Sequence, residues 1–528
     1  MKRLTALSAA ALLAVAWIVV GASAAERPNI LVILTDDHRH DAMGFLGHPW
    51  LETPHMDRLA REGVHFSNAF VTTSLCSPSR ASILTGLYMH RHGVVDNYHA
   101  IPGGLTFFPQ LLQRAGYETA FIGKWHMGGD VDDPQPGFDR WVSFKGQGVY
   151  YTDPAQSKVP GRPVPLASAD GFNVDGERRP QTGYITDELT DYALDWLDGR
   201  EREGRPWMLF LSHKAVHSDF LPAARHAYRY EDKPFEQPRS WFELPERFRD
   251  VPMWVKNQRN SRHGVEFAYN TPGFDIPSFY RRYCETLLAV DESLGRVMER
   301  IAGRGELDDT VILYLGDNGF LFGEHGLIDK RCAYEESMRI PMLLRAPRLT
   351  GASTGRRIEE MVANIDVAPS LLEAAGVPVP DGLDGRSFVP LVRGESVPWR
   401  EELLYEYLWE HNYPQTPTMH GLRTKQYKYV RYYGIWDLDE LYDLQADPGE
   451  TTNLIHDPAH AERVKALDAR LFELLEASGG DSLPLLTNPG ARFPHRKAGG
   501  TGAAPFPAAY EAESAQQGTA GRAKDKTK

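Results

Sequence analysis

Short, continuously apolar runs alternate with longer stretches in which apolar residues recur every three or four positions, from residue 27 to about residue 390. The run "NILVILTDD" (29–37) has the composition of a strand buried on both faces and stops at two carboxylates. "TPHMDRLAREG" (53–63) carries the marks of a helix, with Thr53 as N-cap, Pro54 at the first helical position and Gly63 past the end. "TFFPQLLQRAGYETAFIGKWH" (106–126) repeats the scheme, helix then strand, and ends on Lys124 and His126. An amphipathic stretch at 186–197 leads to the strand-like "WMLFLSHKAVH" (207–217), and a helical stretch at 279–301 leads to "TVILYLGDNG" (310–319). Strands alternating with helices predict an α/β fold, a large and mostly parallel sheet sandwiched by helices. Beyond residue 400 the pattern changes. "ELLYEYLW" (402–409), "KQYKYVRYY" (425–433) and "ELYDLQADPGE" (440–450) predict a smaller antiparallel sheet, with a last helix over 461–478 packed on it.

Both ends of the chain depart from this regime. Lys2 and Arg3 precede an apolar run from Leu4 to Val20 and the small residues Ala22, Ser23 and Ala24, the order of a cleavable export leader. The Ala-, Gly-, Lys- and Gln-rich end predicts a disordered tail. The expected organisation is leader 1–25, large α/β domain 26–400, C-terminal α+β subdomain 401–487 and tail 488–528. An exported chain, periplasmic or secreted and without a stable membrane anchor after cleavage, follows from the leader.

In sheets of this kind ligands sit outside the carboxyl ends of the strands. Here four strand-like runs end in polar loads: Asp36 and Asp37, Lys124 and His126, His213 and His217, Asp317 and Asn318. An isolated pair of aspartates usually caps a helix, but four such endings together supply oxygens, cations and imidazoles to one place. Asp36, Asp37, Asp317 and Asn318 are hard oxygen ligands, which suit calcium or magnesium rather than zinc. The net charge of −13 argues against nucleic acid as a partner. Three cysteines in 528 residues do not make a disulfide scaffold. Cys284 falls at helical spacing among apolar residues and reads as core, as does Cys332. Cys76 is different: in "CSPSRASILTG" (76–86) it opens a helix, where free N–H groups attract an anion, and Arg80 follows one turn on.

The segments "RPNILVILTDDHRHDAMG" (27–44), "CSPSRASILTG", "GKWH" (123–126), "GDNGFLFGEHGLIDKR" (316–331) and "ELYDLQADPGETTNL" (440–454) together resemble the formylglycine-dependent sulfatases of the alkaline-phosphatase-like superfamily. The resemblance implies that a formylglycine-generating enzyme oxidises Cys76 to an aldehyde while the segment is unfolded. It implies further that Asp36, Asp37, Asp317, Asn318 and the converted residue 76 bind calcium. A hydroxyl of the hydrated aldehyde then attacks sulfur, the alcohol leaves, and sulfate is expelled in a second step. In that scheme Arg80 and Lys124 stabilise the nucleophile and the sulfate oxygens, and His126 assists elimination. His217 and Lys330 hold sulfate and serve the leaving oxygen, with His213, four residues from His217, as the alternative histidine. "LIDKRCAYEESMRIPMLLRAP" (327–347) and "EHNYPQTPTMHGLRTKQYKY" (410–429) are similar to sulfatases of the N-acetylglucosamine-6-sulfatase type, which implies a sulfated carbohydrate substrate. Tyr407, His411, Asn412 and Tyr413 are then candidate sugar contacts. Two alternatives remain open: a phosphonate or phosphodiester hydrolase of the same superfamily, and a glycan-binding relative without catalysis.

Overall fold

In the computed structural model, which describes residues 27–158, 170–200, 205–241, 250–260, 275–351, 353–410, 413–433, 438–481 and the strand pair 496–497 and 500–501, the apolar runs pair as one sheet of ten strands. Its centre is β1 (Asn29–Thr35), β2 (Glu118–Gly123), β3 (Trp207–Ser212) and β4 (Thr310–Gly316), in the spatial order β4-β1-β3-β2 and all parallel. The flanks are mixed. Met342–Arg345 runs antiparallel to β4, and the Phe172–Val174 and Glu177–Arg179 hairpin extends the other edge. The expected export leader lies outside the described residues, as does most of the expected tail. Among the described residues no helix is long and apolar enough to cross a membrane.

Alternation along β1 explains the layering. Leu31 and Ile33 point into one core cluster, and Ile30, Val32 and Leu34 into another on the opposite face. The first face is covered by α2 (Ile185–Gly199) and α3 (Ile276–Gly303), whose buried Leu189, Leu197, Leu287 and Leu294 recur at helical spacing. Asp275 caps α3 by accepting a hydrogen bond from the Ser278 N–H (3.1 Å). The second face carries α1 (Cys76–Thr85), which is buried along its entire length. Thr53 stands at the N-cap position of the Pro54–Glu62 helix, as expected, but its hydroxyl does not cap. It accepts from the Gly44 N–H (2.8 Å) and donates to Asp57 Oδ1 (2.9 Å), tying the preceding loop to the helix.

The C-terminal sheet has four antiparallel strands, β5 (Glu402–Tyr407), β6 (Thr418–Thr424), β7 (Tyr427–Tyr433) and β8 (Glu440–Asp443), with α4 (Ala461–Ser478) against it. β6 was not predicted. Two polar devices fasten this sheet to the large domain. Glu335, buried, takes Arg423 of β6 in a two-pronged pair (2.9 and 3.0 Å) and Lys428 of β7 (3.0 Å), while Lys428 also meets the buried Glu450 (2.7 Å). His90 lies between Glu406 Oε1 (2.6 Å from Nδ1) and the Ser478 carbonyl at the end of α4 (3.0 Å from Nε2). Both its neighbours accept, and against the large lowering effect of burial Glu406, together with the Ser478 carbonyl and Asp384, raises the imidazole above its ordinary value.

Candidate active site

The carboxyl ends of the four central strands meet in one buried cluster. The chain leaves each strand under backbone control: Asp317 N–H donates to Thr35 O (2.9 Å), Asp36 N–H to Ala215 O (3.0 Å), Lys124 N–H to Ser212 O (2.8 Å) and His213 N–H to Leu34 O (2.8 Å). These bonds extend the ladder past the strands and fix where the polar side chains emerge. Asp37 and His126 take the left-handed backbone conformation there (φ 56° and 50°), which non-glycine residues adopt seldom and at a cost.

Cys76 occupies the first position of α1, with Leu75 extended before it and Gly86 closing the helix in the left-handed region (φ 72°). Its Sγ is 3.5 Å from Asp36 Oδ1, 3.3 Å from Lys330 Nζ and 3.7 Å from Lys124 Nζ. Lys124 also reaches Asp36 Oδ2 and Gln147 Oε1 (2.5 Å). Lys330 Nζ donates to Asp37 Oδ1 (2.6 Å). Arg80 clasps Asp317 Oδ2 through Nε (3.0 Å) and Nη2 (2.8 Å), and its Nη1 donates to Lys124 O and Ser212 Oγ (both 2.7 Å). Asp317 Oδ1 in turn accepts from the Asp37 N–H (3.1 Å). Cys76, Asp36, Asp37, Asp317, Asn318 and Lys124 are fully buried, and Arg80 and Lys330 nearly so.

Such a cluster cannot hold its charges independently. Burial pushes the Cys76 thiol up to about 12, with Asp36 adding to the effect, so an unmodified Cys76 is a protonated thiol and a poor nucleophile. Asp36 is buried as deeply, yet Lys124, His217, Arg80 and Lys330 hold its carboxyl well below the ordinary range. Asp317 moves the other way, raised by burial and by Asp36 beside it. Burial, then Lys124, drives His126 well below its ordinary value, so its ring is neutral.

Of the two histidines left open by the sequence, His217 faces the cluster: Nε2 lies 3.9 Å from Asp37 Oδ2, and Nδ1 is 2.9 Å from the Ser218 carbonyl. Nδ1 can donate to that carbonyl, which leaves Nε2 facing the carboxylate. His213 sits on the other side of the chain, with Nε2 3.1 Å from Ser293 Oγ of α3. Lys330 is buried and pairs with Asp37. His411 and Asn412 lie outside the described residues. Tyr407 is fully buried and donates to Glu410 Oε1 (2.7 Å), so it offers no face to a sugar, and Tyr413 lies 3.4 Å beneath the Arg331 guanidinium.

Several participants were not anticipated. Gln147 and Ser212 orient Lys124 and Arg80. Asp329 accepts from the Lys330 N–H (2.7 Å) and from Arg331 (2.7 Å), and Arg331 reaches Glu410 of the C-terminal sheet's loop (2.8 Å). The one available signal was the charge run "DKR" (329–331), which contains Lys330.

Asp36, Asp37 and Asp317 each place an oxygen within 4.8 Å of the others. Asn318 donates through Nδ2 to Asp37 Oδ1 (2.7 Å) and to Gly319 O (2.8 Å), and its buried Oδ1 has no hydrogen-bond partner. Three converging carboxylates, beside an asparagine whose buried amide oxygen is unsatisfied, fit a hard divalent cation.

Two family models and several known proteins are similar to this chain. The family model described as Sulfatase matches residues 28–377, and that described as N-sulphoglucosamine sulphohydrolase, C-terminal, matches 323–477. The chain is 33% identical to an N-acetylglucosamine-6-O-sulfatase of Bacteroides thetaiotaomicron, over 85% of this chain and 86% of that one. It is 29% identical to the human N-acetylglucosamine-6-sulfatase, over 90% and 89%. A protein solved in complex with its substrate D-glucosamine-2-N,6-O-disulfate superposes with a TM-score of 0.74 at 31% identity, over 87% of this chain and 99% of that one.

Proposed function

The chain belongs to the sulfatase family and is a sulfuric ester hydrolase, and we propose that it releases inorganic sulfate from a sulfated glycan, with 6-O-sulfated N-acetylglucosamine as the favoured unit. The observation that carries this reading is the burial of Cys76 at a helix mouth, between the oxygen cluster and the ammonium groups of Lys124 and Lys330. A relative that only binds glycans has no use for so costly an arrangement of buried charge. The resemblance of the substrate-side segments to N-acetylglucosamine-6-sulfatases favours the sugar over a phosphodiester.

In this reading Cys76 acts as formylglycine, made by a maturation enzyme before an exported chain folds. Asp36, Asp37, Asp317 and Asn318 would hold calcium, which when bound would supply Lewis acidity and charge neutralisation. The chain's own groups do the rest. Arg80 and Lys124 present fixed positive charge to the sulfate oxygens and to residue 76, in a site that excludes water. His126 is neutral and so has a lone pair for the proton released during elimination, at the reduced basicity that burial and Lys124 impose. His217 turns Nε2 toward the same space, and Lys330 stands at the leaving oxygen.

A panel of sulfated disaccharides, assayed for free sulfate with matured enzyme, tests the substrate. Turnover of 6-O-sulfated N-acetylglucosamine units is expected. Turnover confined to an aryl phosphodiester in a parallel assay would transfer the chain to the phosphodiesterase reading.

Lys330 makes a second test. Charge builds on the leaving oxygen as the S–O bond breaks, so a cation there acts more on the transition state than on the ground state. Lys330→Ala is expected to lower kcat by about 100-fold or more on sugar sulfates, the scale of removing one such group. The loss should be smaller on nitrophenyl sulfate, whose leaving group needs less help. Equal losses on the two substrates would remove Lys330 from that role.

A further inference from the structure

One residue of the C-terminal sheet holds the chain on both sides of the helix that opens with Cys76. Glu406 of β5 is buried, and its backbone N–H donates to the Thr72 carbonyl (2.8 Å), shortly before α1 begins. Its side chain meets His90, shortly after α1 ends: Oε1 lies 2.6 Å from Nδ1, and Oε2 accepts from the His90 N–H (3.3 Å). Thr72 is pinned in turn by Asn364 Oδ1, which accepts from its N–H (3.1 Å) and its hydroxyl (3.2 Å). The imidazole has little room to turn away. A side-chain carbon on Gly480 would come within 2.9 Å of the ring, and Tyr88 stacks on it with 5.6 Å between centroids.

The Ser478 carbonyl (3.0 Å from Nε2) and an ionised Glu406 can only accept. A doubly protonated imidazole satisfies both, whereas a neutral one has a single N–H and turns a lone pair on one of them. Among the charged groups around the ring, Glu406 and Asp384 favour the proton, and Asp384 also takes the Tyr88 N–H (2.8 Å) and Arg91 (2.6 Å). His420, opposite Glu406 on β6, and His92 are both pushed below the ordinary imidazole value by burial, so neither brings a competing charge near neutrality.

We propose that His90 and Glu406 form a proton-dependent clasp, a pair of positioning residues that holds the Cys76 helix against the C-terminal sheet while the pair keeps its extra proton and slackens when that proton leaves. The proposal rests on residue 76 as the nucleophile. Because the folded state binds the proton more tightly than the unfolded chain, the clasp's contribution is complete below about pH 6.5, the ordinary imidazole value, and is lost as pH rises through the higher folded value.

Wild type, His90→Gln, Glu406→Gln and the double variant make a double-mutant cycle in melting midpoint. At about pH 6 each single variant is expected to melt about 2 °C below wild type, with the double variant no lower than either. At about pH 9 that coupling should vanish. On nitrophenyl sulfate, matured wild type should exceed His90→Gln about 3-fold in kcat at the lower pH and approach it at the higher. A coupling equal at both pH values, or absent from both, would overturn the clasp. A coupling that fades while the kcat ratio stays constant would overturn its bearing on residue 76. Matured wild type without activity on any sulfate ester would instead remove the reading of residue 76 as the nucleophile, whatever the melting data. Should a variant fail to fold, hydrogen exchange of wild-type enzyme, corrected for its intrinsic pH dependence, decides the matter. Protection of segments 72–92 and 402–407 should fall between about pH 6 and about pH 9, and unchanged protection would overturn the proposal.

Discussion

Replacing Cys76 by alanine is expected to abolish turnover while leaving the fold in place. The protonated thiol at this position has no effective base: Asp36, which it faces, is held well below the ordinary carboxylate range and is too weak to take its proton, and its other neighbours are the ammonium groups of Lys124 and Lys330. Conversion to an aldehyde removes the difficulty, because a hydrated carbonyl offers hydroxyls rather than a thiol. The alanine variant cannot be converted. It loses one sulfur atom from a helix mouth, a change in stability of about 1 kcal/mol, so circular dichroism and the melting midpoint should stay near wild type. Mass spectrometry of the peptide bearing residue 76 supplies the second half of the test. Fully active enzyme should carry the aldehyde form there, and an intact, alkylatable thiol in such enzyme would end the proposal.

The second large effect is expected at Asp317. Its two oxygens do separate work, Oδ2 holding Arg80 and Oδ1 receiving the Asp37 N–H, while the carboxylate completes the oxygen cluster. Chelation of wild-type enzyme should remove activity, and calcium should restore it better than zinc. Asp317→Ala should be inactive with or without added calcium. Because truncating a buried ion pair also destabilises, by about 3–5 kcal/mol, Asp317→Asn serves as the gentler variant: it keeps the shape and loses the charge. A binding readout separates a lost site from a lost fold. Calcium should raise the melting midpoint of wild type by mass action and not that of the asparagine variant. Full activity after exhaustive chelation would show that the strand ends serve some purpose other than metal binding.

Much of this site was legible because strands and their endings are local features. Four apolar runs announced the sheet, and the polar residue after each announced the rim where a doubly wound sheet places its ligands. What escaped notice depended on side-chain direction or on distant partners. His213 and His217 follow the same strand, and nothing in "SHKAVH" says which ring turns toward Asp37 and which toward Ser293. β6 was missed because "TMHGLRT" lacks an apolar face. Its buried His420 and Arg423 are satisfied by the Tyr433 hydroxyl and by Glu335 instead of by hydrophobic neighbours. The same blindness made Tyr407 look like a sugar contact: its hydroxyl is committed to Glu410, three residues away, on a loop whose shape the sequence does not reveal.

The junction between the two sheets sets what can be cut from this protein. The chain crosses from one to the other between Arg393 and Glu402, where a boundary drawn on topology would invite separate expression of the pieces. Excision there would strand Glu335 on one fragment and Arg423 and Lys428 on the other, and would part His90 from Glu406. Each fragment would then carry formerly buried ions with no counterion, and Glu410 would no longer brace the arginine beside Lys330. The small sheet is therefore less a module appended to a catalyst than one wall of it, and neither piece inherits a complete interior of its own.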